Sequence, residues 1–314
     1  MIWVTRRQQR FEALIAAALL ALAALFLLVT GLDMASTYHT LGVAACLASR
    51  TQTCGEIFDA FRTQFSLLVN IVGWFEFLPL LFGVLLAAPL VLELEQGTYR
   101  LAWTQSITRL RWITWKLSLL VAAAVLLALA LTAILTWWRT PLDQMGGRFD
   151  RLGFDFEGVV PVAYTVFALA LGLAVGTLLR RAIPALALAL VGFFVVRVVV
   201  EDGARPTYLP PLVQAATQGN VGRAAWILDQ SYRDHLGHPV GIVDLLRLCG
   251  VSIDHGQGAH IVPACLARHG IVNAITYQPA DRFWLFQGIE SAIFLGLTAG
   301  LLALTVWWVR YRIA

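Results

Sequence analysis

Few residues in this chain could do chemistry. His235-x-x-His238 has a spacing that invites a metal reading. No helical HExxH and no closed Cys/His set accompanies it, so a solvated loop that tolerates histidine is the preferred explanation. The only lysine, Lys116, follows Arg111-Trp112-Ile113-Thr114-Trp115 with no glycine, whereas a P-loop needs a glycine-rich turn ahead of its lysine. The polypeptide therefore cannot be a P-loop ATPase by itself. Gly-x-Ser-x-Gly is absent, which removes a nucleophile elbow. No catalytic residue, metal site or cofactor of its own is expected. What remains is Glu76, Arg197 and Glu290, ionisable groups within otherwise apolar runs. Such groups are costly in hydrocarbon and are functional candidates by default. They would line a polar vestibule on a substrate pathway. The alternative is structural: an ion pair of Arg197 with Glu76 or Glu290, or Arg197 snorkelling to the interface.

The elements that must hold these residues are membrane helices. The 314 residues are 59% hydrophobic and 13% charged, with mean hydropathy +0.74, whereas soluble domains are about a quarter charged. Six runs approach or exceed the roughly 20 residues that cross a bilayer: 11–31, 67–92, 117–138, 159–179, 182–200 and 283–309. They are apolar on every face, which excludes the alternating strands of a barrel. The expected fold is all-α, with six transmembrane helices. Trp3, Trp137, Trp138, Tyr164, Trp284, Trp307, Trp308 and Tyr311 fit an interfacial belt. Gly172-x-x-x-Gly176 and Gly296-x-x-x-Gly300 would permit close helix approach.

Orientation follows from the basic residues. One side collects Arg6, Arg7, Arg10, Arg100, Arg109, Arg111, Lys116, Arg180, Arg181, Arg310 and Arg312 against only Glu12, Glu93 and Glu95. Both termini are therefore placed in the cytoplasm of a multi-pass plasma-membrane protein. Residues 1–10 read as an amphipathic segment on the inner surface, and the first apolar run is too long for a cleaved signal peptide. Residues 201–282 form an external cap punctuated by Gly and Pro, expected as short helices over 224–235 and 243–249, with Leu245, Leu246 and Leu248 burying one side. Ile57, Phe58, Phe61 and Phe65 extend the second span outward as an amphipathic helix, packed against the cap. All four cysteines fall outside, where short separations favour Cys46 with Cys54 and Cys249 with Cys265 over free thiols or another connectivity.

The segment between the second and third spans, residues 93–116, carries the most information. Gly97 permits a sharp exit from the second helix, residues 98–105 can form a short surface helix, and Ser106 or Thr108 can cap a helix running unbroken through Lys116 into the third span. The product is a rigid elbow able to transmit the motion of a docked partner; a basic loop bound to lipid phosphates is the plainer alternative. Glu95-x-Gly97-Thr98, the run from Arg100 to Ser106 (Arg-Leu-Ala-Trp-Thr-Gln-Ser), Arg109, Arg180-Arg181-x-x-Pro184-Ala185 and Tyr277-Gln278-Pro279-Ala280 stand in this order. Together they resemble the six-span permease subunits of type-2 ABC exporters, especially an actinobacterial group.

The resemblance implies a coupling helix in the elbow, with Glu95, Gly97, Thr98, Arg100 and Arg109 contacting a separate ATP-binding subunit that holds ATP and Mg. It also implies a second permease copy, expected as a homodimer, and export of an amphipathic drug, antibiotic, peptide or lipid. Membrane lipids are the other expected partners, and nucleic acid is not one. An 82-residue cap is larger than the outer loops of the simplest members. A membrane-embedded enzyme or sensor whose working part is the cap is the rival reading; its activity would fall on Asp234→Asn and need no ATPase.

Overall fold

The computed structural model describes residues 10–49, 54–103, 108–215, 221–222, 224–249, 251–254, 258–261 and 263–312. The inner-surface segment ahead of Arg10, the Thr104-Gln105-Ser106 part of the elbow and His255 lie outside the described residues.

In chain order the helices are α1 (Arg10–Thr40), α2 (Val43–Ser49), α3 (Cys54–Gly73), α4 (Leu78–Gln96), α5 (Tyr99–Trp103), α6 (Arg109–Gly146), α7 (Arg151–Phe156), α8 (Val160–Leu179), α9 (Ala182–Val198), α10 (Ile242–Cys249), α11 (Pro263–Arg268) and α12 (Phe283–Tyr311). Among the described residues, six helical stretches are long and apolar enough to cross a membrane: Phe11–Thr40, Cys54–Gln96, Arg109–Gly146, Val160–Leu179, Ala182–Thr207 and Ala280–Tyr311. They coincide with the six expected spans and mostly overrun them. The chain is thus mostly helical and multi-pass.

Its centre is α8, which packs most heavily on α4 and α12. Small residues make the α4–α8 contact close. A Cβ on Gly83 would lie 2.6 Å from that of Ala168, one on Gly172 would lie 2.9 Å from that of Ala87, and Gly176 sits directly against Val91. The Gly172/Gly176 pair therefore does what its spacing suggests, because backbones approach only where no side chain intervenes. Gly296 and Gly300 meet nothing within 4 Å in this chain.

The amphipathic helix α3 forms as expected, but its buried face has a different partner. Phe61 and Phe65 join Met34, Tyr38, Trp138 and Met145, from α1 and α6, in one cluster. Both of those helices overrun their apolar runs at this end, so the stripe finds helices before it finds the cap. Cys46 and Cys54, with Cα atoms 5.4 Å apart, tie α2 to α3. Cys249 and Cys265, 5.5 Å apart, tie α10 to α11, and both expected pairs are thus present.

The all-α expectation fails between the last two spans. Among the described residues, that region is built on six strands, β1 (Leu212–Ala215), β2 (Trp226–Arg233), β3 (Pro239–Val240), β4 (Val251–Asp254), β5 (Gly258–Ile261) and β6 (Val272–Gln278). Four form an antiparallel sheet in the order β1-β6-β2-β3, and β4 pairs with β5. The helix expected over 224–235 is strand β2. The turn after it is closed by Gly237 at φ 84° and by the Asp234 carboxylate, which accepts the N–H groups of Leu236 and His238 at 2.9 Å each. Once that hairpin forms, Ile227 pairs with Tyr277, Asp229 with Thr276, Gln230 with Ile275 and Arg233 with Val272, so β2 lies against β-branched and aromatic residues of β6 that suit a pleated surface. Helix α10 matches the other expected piece; it buries Leu245, while Leu246 and Leu248 are exposed. The fifth span does not stop at Val200. A π-turn over Val199–Ala204 and a 3-10 turn over Arg205–Thr207 carry it on, so Glu201 and Arg205 belong to the bundle rather than to the cap.

Candidate functional site: a braced elbow and a buried ion network

Gly97 ends α4 with φ 71°, the left-handed conformation in which glycine escapes a Cβ clash. The Arg100 N–H closes the turn on the Gly97 carbonyl at 3.1 Å, and the Thr98 hydroxyl reaches the Glu93 carbonyl at 3.5 Å. The short helix α5 follows, and Thr108 caps α6 by accepting the Arg111 N–H at 3.3 Å.

Aromatic rings brace this bend. Tyr99 is buried against Trp103, with centroids 4.6 Å apart, and Trp103 meets Trp112 edge-on at 5.9 Å. The Arg109 guanidinium lies 4.5 Å over the Trp103 ring. Lys116 pairs with Glu93 in a buried contact and sits 4.7 Å over Trp112. Both arms of the elbow are thereby fixed to each other, since a cation over an indole face is attracted by the ring quadrupole and a buried ion pair holds its geometry.

Glu95 turns sideways. Its carboxylate accepts the Ala182 N–H at 2.8 Å, capping α9 where Arg180-Arg181 turn the chain from α8. Arg180 adopts φ 52° and donates to the Arg312 carbonyl at 3.3 Å. The five expected coupling residues thus share one end of the bundle but differ in position. Gly97 and Thr98 shape the bend, Arg109 braces it, Glu95 joins it to the next helix pair, and Arg100 is exposed.

At the opposite end the bundle buries an ion network. Arg205 donates through Nη2 to Asp155 Oδ1 and Glu290 Oε1, both at 2.7 Å, and through Nε to Glu290 Oε2 at 2.8 Å. Arg197 donates through Nη2 to Asp155 Oδ2 at 3.0 Å and Glu76 Oε2 at 3.3 Å, and through Nε to Glu201 at 3.4 Å. Its Nη1 takes the Glu76 carbonyl at 3.1 Å, which lies in the 3-10 turn Trp74–Phe77 between α3 and α4. Glu290 also accepts from the hydroxyls of Tyr164 and Tyr208. Burial, and then the Glu290 carboxylate beside it, push the Tyr208 hydroxyl well above the ordinary phenol range, so it stays a donor. Arg151 completes the set on Glu201 at 2.5 Å. Glu76, Arg197 and Glu290 are therefore brought together, with Arg197 paired to Glu76. Glu290 belongs instead to Arg205, and Asp155 bridges the two arginines. Arg197 is only 4% exposed, which excludes snorkelling.

Sequence reading missed Asp155, Glu201 and Arg205. A signal existed: Arg197, Glu201 and Arg205 are spaced by four, which puts them on one face of a continuing helix.

Two further features frame this end. Gln287 of α12 accepts the N–H groups of Val159 and Val160 at 3.0 Å each and donates to the Phe154 carbonyl at 2.8 Å, closing the start of α8. Arg139 gathers Asp143 at 3.2 Å, Asp150 at 2.8 Å and Glu157 at 3.4 Å. Burial, and then the hydrogen-bonded Asp143 carboxylate, push Glu157 up to about 8. The histidine pair sits in the β2–β3 turn, where His238 Nδ1 faces Asp234 at 3.5 Å. Among the described residues no group of three His, Cys, Asp or Glu side chains could hold a metal ion.

A family model described as "ABC-2 membrane transporter related" matches residues 17–205, more than half of the chain. The chain belongs to that family. The matched stretch holds the first five spans, the elbow, and the network through Arg205; the strand-built cap and Glu290 on α12 lie beyond it. No curated protein and no solved structure matches the chain. Membership makes the protein a multi-pass membrane protein of a transport-permease family, one whose members normally work with an ATP-binding subunit.

Proposed function

We propose that the chain is the permease subunit of an ATP-driven exporter that moves an amphipathic substrate out of the cell. ATP and Mg are held by a separate subunit that docks on the elbow. Two copies of the permease enclose the pathway, the termini and elbow are cytoplasmic, and the strand-built cap is external.

The observation that carries this reading is the bracing of the elbow. Force applied at α5 acts on α4 and α6 together, because Glu93–Lys116 and the Tyr99–Trp103–Trp112 stack join the two helices at the bend. Glu95 passes the same displacement to α9 through the Ala182 N–H. The glycine contacts between α4 and α8 leave little room for slip, so motion at the elbow reaches the far end of both helices as a rigid-body shift. There α4 begins at the Glu76 turn and α9 carries Arg197, and the ion network between them is the joint that must rearrange. In this mechanism Glu76, Arg197 and Glu290 meet the substrate only after the pairs separate.

Gly97→Pro tests the reading, since proline cannot adopt φ 71°. Reconstituted with its ATP-binding partner, this variant is expected to lose substrate-stimulated ATP hydrolysis while the cap stays folded and disulfide-bonded. Unchanged stimulation overturns the coupling role of the elbow. An activity that needs no ATPase and disappears with Asp234→Asn moves the function to the cap.

A further inference from the structure

A large cleft is distinct from the ion network. It has a volume of about 1230 Å³ and lies where the cap meets α2, between Leu47 and Ala48 on one side and Ala224 and Tyr277 on the other. A second cavity of about 350 Å³ lies between α1 and α6, lined by Gly31, Ala35, Trp137 and Thr140. The two share Tyr38, Ala44 and Gln144 as a common wall. In that wall the Tyr38 hydroxyl donates to Gln144 Oε1 at 2.5 Å, and the Cys46–Cys54 bridge holds the segment carrying Ala44 in place.

Depth decides what can reach these spaces. From Arg10 to Gly31 the helix rises roughly 31 Å at about 1.5 Å per residue, close to a full hydrocarbon thickness of about 30 Å. The smaller cavity therefore lies at the boundary between hydrocarbon and headgroups, and the larger one lies beyond it, under the cap. No Asp, Glu, Lys or Arg side chain lines either space among the described residues; His39 borders the smaller one. The polar groups on offer are uncharged: the hydroxyls of Tyr38, Thr140 and Tyr277 and the Gln144 amide. The larger space alone exceeds the roughly 300–1,000 Å³ usual for a small-ligand site.

The geometry points to a binding site for a neutral single-chain amphiphile drawn from the leaflet at the cap end, such as a monoacylglycerol. Its chain lies between α1 and α6 over Gly31, Ala35 and Trp137. Its hydroxylated head passes Tyr38 and Gln144 into the cleft beneath the cap. The described lining offers hydroxyl and amide partners and no counter-charge for an anionic or zwitterionic headgroup, which disfavours one. As an assignment of cargo this rests on the export reading; as a binding site it does not.

The test uses the full chain in phosphatidylcholine vesicles with a photoreactive monoacylglycerol, followed by peptide mapping. The wild type is expected to show saturable labelling of the Gly31–Ala44 and Trp137–Gln144 peptides, competed by unlabelled monoacylglycerol. Ala44→Trp, which fills the shared wall, should reduce it about tenfold, equivalent to about 1.4 kcal/mol of binding. Leu304→Trp, an exposed position on α12, should leave it unchanged. Tyr38→Phe removes a hydroxyl without adding bulk and should weaken competition by the glycerol ester more than by a plain alkane probe. Non-saturable labelling, labelling indifferent to Ala44→Trp, or equal labelling by a photoreactive phosphatidylglycerol overturns the site. The assay needs no ATP-binding subunit, so its failure leaves the docking elbow standing, and a failure of docking leaves this site standing.

Discussion

The two ends of the bundle solve the same problem with different chemistry. Each must hold charged residues where a helix bends, at Gly97 in one case and at the Trp74–Phe77 turn in the other. At the elbow Arg109 lies over an indole ring near the surface, and Arg100 remains exposed. At the far end Arg197 and Arg205 are enclosed and each contacts at least two carboxylates. The exposed Arg100 guanidinium can be removed at little structural cost, because solvent replaces its contacts. A buried one leaves its carboxylates without compensation. The difference separates a surface suited to meeting a partner from a joint that holds the helices together.

Substitutions sharpen this contrast. Arg205→Met is expected to have the largest effect, since it leaves the buried Glu290 without its arginine and Asp155 with Arg197 alone. Breaking one side of a buried network costs about 3–5 kcal/mol, and thermal unfolding of the detergent-solubilised protein should fall accordingly. Gly176→Val comes next. It inserts a side chain where α8 already touches Val91, and overpacking costs about 1–3 kcal/mol. Gly300→Val, in open space by the same measure, should be close to neutral in the same experiment.

Glu95→Ala removes the acceptor for the Ala182 N–H, and loss of a helix cap costs about 0.5–2 kcal/mol. Hydrogen exchange at the start of α9 should accelerate while that of α6 does not. If α6 loosened equally, Glu95 would act through the elbow as a whole rather than as a cap.

Glu157 gives a pH-dependent effect. Its carboxyl is raised from 4.5 to about 8, so the folded state binds a proton that the unfolded chain has released across that interval. Stability from this group is present at the acid side and is lost as pH rises from about 4.5 to about 8. Melting temperature measured across this range should decline for the wild type and flatten for Glu157→Gln. A decline of equal slope in both would place the titration elsewhere.

Local chemistry made part of this molecule legible in its sequence. Gly97 followed by Thr98, and Thr108 ahead of an unbroken helix, announce a bend and a restart by rules that operate within a few residues. Apolar runs place the six spans because a bilayer demands length. The Cys46–Cys54 and Cys249–Cys265 pairs follow from short separations. Glu76, Arg197 and Glu290 and the Arg197–Glu76 pair were legible as charges in apolar runs, but the rest of the ion network was not, because its members come from five separate segments, around Glu76, Asp155, Tyr164, Arg197 and Glu290. Only tertiary packing brings Asp155 between two arginines. The boundary at Val200 hid Arg205, since hydropathy falls there although the helix continues through a π-turn. The cap misled for another reason: residues 226–233 mix helix and strand formers, and strand β6, more than forty residues later, decides the outcome.

Arg100→Glu tests the central contrast most directly. Exposed substitutions of this kind usually change stability by no more than about 0.5 kcal/mol, so the variant should melt with the wild type. Gentle purification from the native host, followed by mass spectrometry, should recover an ATP-binding subunit with the wild type and lose it with Arg100→Glu. Recovery of that subunit at equal yield with Arg100→Glu, or its absence from a well-folded wild-type preparation, would contradict the elbow as the docking surface.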